Sequence, residues 1–244
     1  MQTSNPAFSG RFAQDFDYVG ARSTTMTVQG TCLKAMVLLA IVMATASFSW
    51  IQSEQGNMGP GLMIGGLVGG LVFFFITVFN KKAAPWSAPL YSACEGLLLG
   101  VISRYAELQY PGIAIQAVGL TGAVTFLMLF FYATGIIKVT GQLVTGIMAA
   151  TGAIAVLYLV SMVMSAFGAS IPFIGGSGPL AIGFSVFVVG LAAFNLLLDF
   201  DFIDRGSQAG LAKSMEWYGA FGLMVTLIWL YLEVLRLLTK LNRR

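Results

Sequence analysis

Seven apolar stretches between residues 33 and 238 limit the folds that this chain can adopt. Each is close to the roughly 20 residues that a helix needs to cross the hydrocarbon core of a bilayer. Lipid offers no hydrogen bonds to the backbone, so a spanning segment is a helix or part of a closed barrel, and a barrel would show short alternating segments. The sequence therefore predicts an all-α polytopic membrane protein, a bundle of seven transmembrane helices. The stretches are residues 33–51, 59–79, 87–105, 113–137, 142–166, 179–200 and 217–238.

The low content of charged residues supports the same class. Only 9% of the 244 residues are charged, whereas a soluble domain averages about 25%. The lipid bilayer is thus the expected environment, and no nucleic-acid partner is expected. Residues 1–28 are polar and predict a flexible cytoplasmic tail without a signal peptide. Residues 29–244 form the predicted seven-helix transmembrane domain.

The basic residues predict an orientation, because Lys and Arg accumulate on the cytoplasmic side. Eight of them fall on one side if the helices alternate, which predicts a cytoplasmic N-terminus. The last four basic residues do not fit, because seven crossings would place them outside. Either the seventh helix crosses the membrane and violates the charge rule locally, or it enters the membrane and returns to the same side. The eight are Arg11, Arg22, Lys34, Lys81, Lys82, Lys138, Arg205 and Lys213, and the last four are Arg236, Lys240, Arg243 and Arg244.

Closely spaced glycines predict tight contacts between helices. The segment "GGLVGGL" at 65–71 and the glycines at 141, 146 and 152 would let neighbouring backbones approach. We expect these glycines to pack and not to form a site.

Glu95 lies in the middle of the third stretch, where a charge is costly. Helical spacing places it on one face with two hydroxyl-bearing residues, which suits a polar interior. It is either a functional acid or a protonated side chain that joins two helices. The face comprises Ala88, Ser92, Glu95, Leu99 and Ser103.

Three aspartates follow a run without charge in "NLLLDFDFIDRG", residues 195–206. Asp199 shares a face with Asn195, one turn away, and is the best candidate for a buried acid. Asp201 and Asp204 share another face nearer the cytoplasmic exit and could simply face water. Carboxylate oxygens are ligands that Ca²⁺ prefers, so Asp199, Asp201 and Asp204 form a possible Ca²⁺ site, although no EF-hand pattern is present.

The seventh stretch offers a partner face with acids at both ends. Glu216 could stabilise the positive end of the helix dipole, and Glu233 could pair with Arg236 three residues on. If one of these acids meets Asp199, the two cannot both ionise cheaply and titrate as a unit. Such a pair would latch the helices when it shares a proton and would bind a cation when it is ionised. The face comprises Glu216, Gly219, Gly222, Thr226, Trp229 and Glu233.

Four segments in this order resemble the Bax inhibitor-1 family of transmembrane Bax-inhibitor-motif proteins, and in particular its bacterial branch. The resemblance covers residues 26 to 240. The segments are "MTVQGTCLKAMVLL", "YSACEGLLLGVISRYAE", "NLLLDFDFIDRG" and "MEWYGAFGLMVTLIWLYLEVLRLL".

The resemblance implies six helices around a central seventh, and a pH-sensitive calcium leak of a bacterial inner membrane that serves calcium homeostasis. It also implies a pair of aspartates between the sixth and seventh helices as the pH sensor. The first falls on Asp199, or on Asp201 if the alignment shifts, and the second falls on Thr226, which cannot ionise. The acid that some members carry in the second helix has no counterpart within residues 59–79.

Other functions compete with a leak channel. The chain has no histidine, which excludes a Ser–His dyad and an HExxH zinc site, and we expect no enzyme. A non-conducting scaffold that binds a membrane protease or another membrane protein would use the same glycine-lined faces. A proton-coupled cation transporter would use the same acids. No cofactor is expected, and Ca²⁺ or another cation would act only as the permeant ion.

Overall fold

The computed structural model describes residues 25–56, 59–168 and 171–243, and most of the predicted N-terminal tail lies outside these ranges. The described residues form seven long helices. They also contain one 3₁₀ turn at Lys81–Ala83, one helical turn at Pro172–Gly175 and one isolated β-bridge between Thr25 and Ala212. The all-α prediction is confirmed. The long helices are α1 (Val28–Glu54), α2 (Gly59–Phe79), α3 (Ala84–Gln109), α4 (Ile113–Ala133), α5 (Gly141–Ala166), α6 (Pro179–Gln208) and α7 (Met215–Asn242).

Six of these helices are long and apolar enough to cross a membrane, as expected of a multi-pass membrane protein. Among the described long helices, α3 does not meet this criterion of length and hydropathy. The sequence had predicted a seventh membrane crossing there. Its polar side chains Ser87, Ser92 and Ser103 are buried by the protein, between α1, α2 and α7. The surrounding helices therefore shield the polar residues of α3 from the lipid.

Local sequence signals set the helix ends. The side chain of Thr27 caps α1 by accepting a hydrogen bond from the Gly30 amide at 3.0 Å, which satisfies one free amide of the first turn. Pro179 opens α6, where a missing N–H costs nothing. Between α3 and α4, Gly112 has a φ of 87°, a left-handed conformation that favours glycine. The chain therefore turns sharply at this point.

Glycines bring the first three helices to within backbone contact. A Cβ atom added to Gly66 of α2 would lie 2.6 Å from the Cys94 carbonyl oxygen of α3. One added to Gly96 or Gly100 of α3 would meet α1 backbone atoms at Val42 or Ala46. Only a residue without a side chain permits such an approach. The predicted packing role of "GGLVGGL" is confirmed for Gly66 and also for Gly69 and Gly70, which meet the side chains of Cys94 and Glu95.

The same prediction is wrong for the glycines of α5. Nothing described lies within 4 Å of a Cβ atom added to Gly141, Gly146 or Gly152. Helix α5 packs mainly against α6 through a small cluster centred on Ile147 and Ile154. Its glycines face away from that contact.

Helix α7 packs against every other long helix. Its backbone lies against α1, α3, α4 and α6. Its side chains also reach α2, where the rings of Phe74 and Phe221 are 5.9 Å apart, and α5, where Tyr158 donates a hydrogen bond to Glu233. Half of its most apolar window is buried. Many of the buried side chains among the described residues therefore lie on α7.

The path of α7 answers the question that the C-terminal charges raised. The helix runs unbroken for 28 residues, which corresponds to about 42 Å. Its first turn contacts α1 through Glu216 and Lys34, and its last turn contacts the start of α6, where Lys240 donates to the Ala181 carbonyl oxygen. Helix α7 therefore reaches from one end of the bundle to the other without a break.

Candidate functional site

Asp199 of α6 faces α7 at Gly222 and Thr226. A Cβ atom added to Gly222 would lie 3.6 Å from Asp199 Oδ1, and the Thr226 side chain lies near the same carboxylate. The Thr226 hydroxyl donates to the Gly222 carbonyl oxygen at 3.3 Å. The structure thus brings together the two residues onto which the implied aspartate pair falls.

One oxygen of Asp199 is left without a partner. Its Oδ2 atom is buried and accepts no hydrogen bond from any part of the chain that the structure describes. An unpartnered buried acceptor costs about 1–3 kcal/mol, and more if it is charged. Because buried polar groups in native proteins are nearly always satisfied, such an atom is a candidate for binding a water molecule or an ion.

A close helix contact holds Asp199 in place. One turn before Gly222, Gly219 packs against α1 and α6, and a Cβ atom added to it would lie 3.2 Å from Thr31 and 3.3 Å from Ile203. Asn195, which helical spacing placed beside Asp199, donates instead to Thr151 of α5 at 2.9 Å. The polar face of α6 is therefore divided between two neighbouring helices, and Asp199 alone serves the contact with α7.

Glu216 does not join Asp199. Its side chain is only 1% exposed and forms an ion pair with Lys34 of α1. It also accepts hydrogen bonds from the Thr27 amide at 3.0 Å and the Thr27 hydroxyl at 2.9 Å. The prediction that Glu216 could supply the second acid of a pair is wrong, because its carboxylate already has a full set of donors on α1.

Glu233 is engaged elsewhere as well. Arg236 donates to both of its oxygens, at 2.8 and 3.0 Å, and the Tyr158 hydroxyl of α5 donates at 3.0 Å. The predicted pairing of Glu233 with Arg236 is confirmed, and the prediction that it could replace the missing acid opposite Asp199 is wrong. A cation beside this buried carboxylate compensates its charge.

The three aspartates of α6 do not converge on a metal. Asp201 pairs with Arg205 at 2.7 Å, and Asp204 accepts from Tyr132 at 3.2 Å and from Gln208 at 3.0 Å. Across the described residues, no group of three or more Asp, Glu or Cys side chains is arranged to hold a metal ion. The possible Ca²⁺ site on Asp199, Asp201 and Asp204 is therefore not formed, because the three side chains bind different partners.

Glu95 lies between α2 and α3. A Cβ atom added to Gly70 of α2 would lie 2.7 Å from its Oε1 atom, and Tyr91, one turn earlier on α3, lies near the same carboxylate. On the same face, the Ser92 hydroxyl is buried without a partner among the described residues. The predicted polar face of α3 exists, and its acid is pressed against a glycine of the neighbouring helix.

Residues 5–243 match a model of the family described as Bax inhibitor 1 like. The chain belongs to that family. A search of curated proteins and a search of solved structures each found no match.

In this Bax inhibitor 1 like protein, the carboxylate at Asp199 is paired with a hydroxyl at Thr226 where the resemblance implied a second aspartate. A hydroxyl can donate one hydrogen bond and accept others, but it does not change its charge with pH. Any pH response at this contact therefore depends on Asp199 alone.

Sequence reasoning missed several residues around the acids. Lys34 is 182 positions from Glu216, and Tyr158 is 75 positions from Glu233, so spacing along the chain could not pair them. One usable signal was the high cost of an uncompensated charge within a bundle, which favours a cation near an ionised buried acid. A second was the spacing of Gly96 and Gly100, a small-residue repeat typical of close helix contacts.

Proposed function

We propose that this protein is a pH-sensitive leak for calcium, and that Asp199 couples the passage of the cation to pH. The observation that carries the proposal is a contrast among the acids of α6 and α7. Asp201, Glu216 and Glu233 each pair with a cation, and Asp204 accepts two hydrogen bonds. Asp199 alone among these five has a buried oxygen without a partner in the described structure.

The two protonation states of Asp199 have different requirements. The neutral acid needs no counter-ion and can donate to an oxygen of α7. The ionised carboxylate needs a positive charge nearby, and a permeating cation would supply one. Protonation would therefore favour a closed contact between α6 and α7, and ionisation would favour cation entry.

The surroundings of Asp199 favour weak, transient binding of a cation over tight binding. Ca²⁺ is bound tightly by six to eight oxygens, several of them carboxylates. Asp199 belongs to no group of three or more Asp, Glu or Cys side chains that could hold a metal ion among the described residues. Conduction requires a site strong enough to admit the ion and weak enough to release it, which a single carboxylate would satisfy.

The proposal includes an arrangement in the membrane. We place α7 at the centre of a seven-helix bundle, with α3 as an additional crossing, and the N-terminus in the cytoplasm of a bacterial cell. The contacts of α7 with all six other long helices support the first point. The cations beside the first turn of α7, including Lys34 of α1 and Lys81 of the turn between α2 and α3, support the cytoplasmic N-terminus.

Calcium flux into sealed liposomes tests this function. Purified full-length protein is reconstituted with a calcium-sensitive dye inside, and calcium is added outside at pH 8. We expect faster dye response than in protein-free liposomes, and a loss of most of that increase in Asp199→Asn. Asp201→Asn, two residues away but paired with Arg205 on the surface, serves as the matched control and should conduct like the wild type. If wild-type and protein-free liposomes respond equally, the non-conducting scaffold is the better description.

A further inference from the structure

A cavity of about 870 Å³ opens at the end of the bundle where α7 finishes. Its walls come from α3, α5, the turn at Pro172–Gly175 and α7. This size lies within the range of cavities that hold small organic ligands. It is remote in the sequence of α7 from Gly222 and Thr226, so it does not belong to the site proposed above.

Three cations line this cavity, namely Arg236, Lys240 and Arg243, and no acid is among the described residues of its wall. The acids at this end of the bundle have other partners. Glu54 pairs with Arg104, and Glu107 accepts from the amides of Gly112 and Ala114 at the start of α4. Glu233 pairs with Arg236, so Lys240 and Arg243 give the cavity its uncompensated positive charge.

The cations are held in place but retain donors for a ligand. Lys240 is 5% exposed and donates to the Ala181 carbonyl oxygen at 3.1 Å and to Ser185 at 2.8 Å, which leaves one of its three N–H groups. Arg236 uses its Nη1 atom for Glu233 and Tyr158, and its side chain is 40% exposed. Arg243 is exposed. Arginine suits phosphate because it can donate two parallel hydrogen bonds.

The rest of the wall is mixed in character. Ser161, Ser165 and Thr239 add hydroxyl groups, whereas Ile102, Leu232 and Leu235 add apolar surface. A free inorganic ion would leave this apolar surface unused. A molecule that carries both a phosphate and hydrocarbon chains would use both kinds of wall.

We propose that this cavity binds the phosphate headgroup of an anionic phospholipid, with the acyl chains along the apolar wall between α3, α5 and α7. A zwitterionic headgroup would bring a positive charge towards three cations, so the net negative lipid is preferred. The lipid also accounts for the basic C-terminal residues, which lie at the opposite end of the bundle from Lys34 and Lys81. A bound phosphate would neutralise charges that the orientation rule leaves unexplained.

Native mass spectrometry of the purified full-length protein tests the proposal. Phosphatidylglycerol and phosphatidylcholine with identical acyl chains are titrated separately, and the dissociation constant of each is measured. We expect phosphatidylglycerol to bind at least about fivefold more tightly, since one basic residue near the membrane surface contributes about that factor. Addition of millimolar inorganic phosphate should leave the phosphatidylglycerol complex intact.

Three variants locate the lipid. Arg243→Ala removes an exposed side chain without disturbing the core and should weaken phosphatidylglycerol binding about fivefold, with phosphatidylcholine unchanged. Arg236→Lys keeps a cation beside Glu233 but loses the planar donor group, and should also weaken it. Lys82→Ala, an exposed cation at the other end of the bundle, is the matched control and should have no effect.

Three results would overturn the proposal. Equal affinity of the wild type for the two lipids would remove the charge preference. Displacement of the lipid by inorganic phosphate would show that hydrocarbon contacts contribute nothing. An equal effect of Arg243→Ala and Lys82→Ala would place the lipid outside this cavity.

Discussion

At the residue scale, Thr226 holds the position that decides whether Asp199 titrates alone or as part of a pair. In Thr226→Asp a second carboxylate would face Asp199 across the α6–α7 contact. Two ionised acids at this distance repel each other, so we expect the variant to lose stability as pH rises from 6 to 8. If the repulsion shifts a carboxyl pKa by one unit, the free energy of unfolding falls by about 1.4 kcal/mol. This loss lowers the melting temperature of a chain of this size by about 3–5 °C.

The melting temperature of purified Thr226→Asp in detergent at both pH values measures this effect. Thr226→Asn is the matched control, because it has nearly the same shape and no charge. If the two variants show the same pH dependence, Asp199 does not face position 226.

The ion pair between Lys34 and Glu216 gives a second prediction at this scale. In Lys34→Met the Glu216 carboxylate, 1% exposed, would remain buried without its cation. Removing one partner of a buried pair costs about 3–5 kcal/mol. Because Lys34 is 19% exposed, we expect a loss of about 3 kcal/mol, at the lower end of that range.

Thermal unfolding of the single and double variants checks this value. Adding Glu216→Gln to Lys34→Met should recover part of the stability, since the uncompensated charge is then gone. Lys138→Met, which changes an exposed lysine, is the control. A Lys34→Met protein as stable as this control would contradict the ion pair.

Sequence reasoning reached the residues of the site more easily than their partners. Asp199 stood out because it ends a run without charge, and its contact with position 226 followed from the family resemblance. The partners of Glu216 and Glu233 could not be found in this way, because helical periodicity relates residues only within one helix. Which helix faces which acid depends on how the bundle packs. That packing is decided by contacts between residues that are far apart in the sequence.

At the scale of whole helices, glycines control how closely α2 and α3 approach. A Cβ atom in Gly66→Ala would lie 2.6 Å from the Cys94 carbonyl oxygen and 2.9 Å from the Leu98 amide nitrogen. Both are backbone atoms that cannot rotate away, so the helices must separate. We expect a loss of about 1–3 kcal/mol, the usual cost of overpacking a core.

The melting temperature of Gly66→Ala measures this loss, with Gly152→Ala in α5 as the matched control. Space around Gly152 is open, and alanine favours a helix over glycine by up to about 1 kcal/mol. The control should therefore be as stable as the wild type or more stable. The reverse order would contradict the packing described here.

The sequence predicted the helices well and their contacts only in part. All seven apolar stretches became long helices, because the length of an apolar run and the glycines and prolines between runs are local signals. The glycines of α2 and α5 look alike in the sequence, yet Gly66, Gly69 and Gly70 of α2 meet another helix and those of α5 do not. The difference lies in the orientation of each helix in the bundle, which small-residue spacing does not encode.

At the scale of the whole molecule, the unbroken course of α7 fixes where its ends lie. Position 243 should be on the opposite side of the membrane from positions 82 and 138, which lie on connections at the other end of the bundle. Single cysteines at these positions, in a protein without Cys32 and Cys94, can be labelled in intact cells with a membrane-impermeant maleimide. We expect labelling of Arg243→Cys but not of Lys82→Cys or Lys138→Cys.

The orientation rule alone could not predict this arrangement, because four C-terminal cations opposed it. If Arg243→Cys and Lys82→Cys are labelled only after the membrane is opened, both positions lie on the cytoplasmic side. Helix α7 would then not cross as a single helix.

The most direct test of the central claim is the ratio of calcium flux at pH 8 to that at pH 6 in the same liposomes, for the wild type and for Asp199→Asn. Only the ionised carboxylate attracts a cation, and the amide of the variant stays neutral at both pH values. We predict a ratio well above one for the wild type. For Asp199→Asn we predict a ratio near one, because its flux at both pH values should be as low as that of the wild type at pH 6. A variant that keeps the pH dependence of the wild type would show that another group senses pH, and would contradict this account.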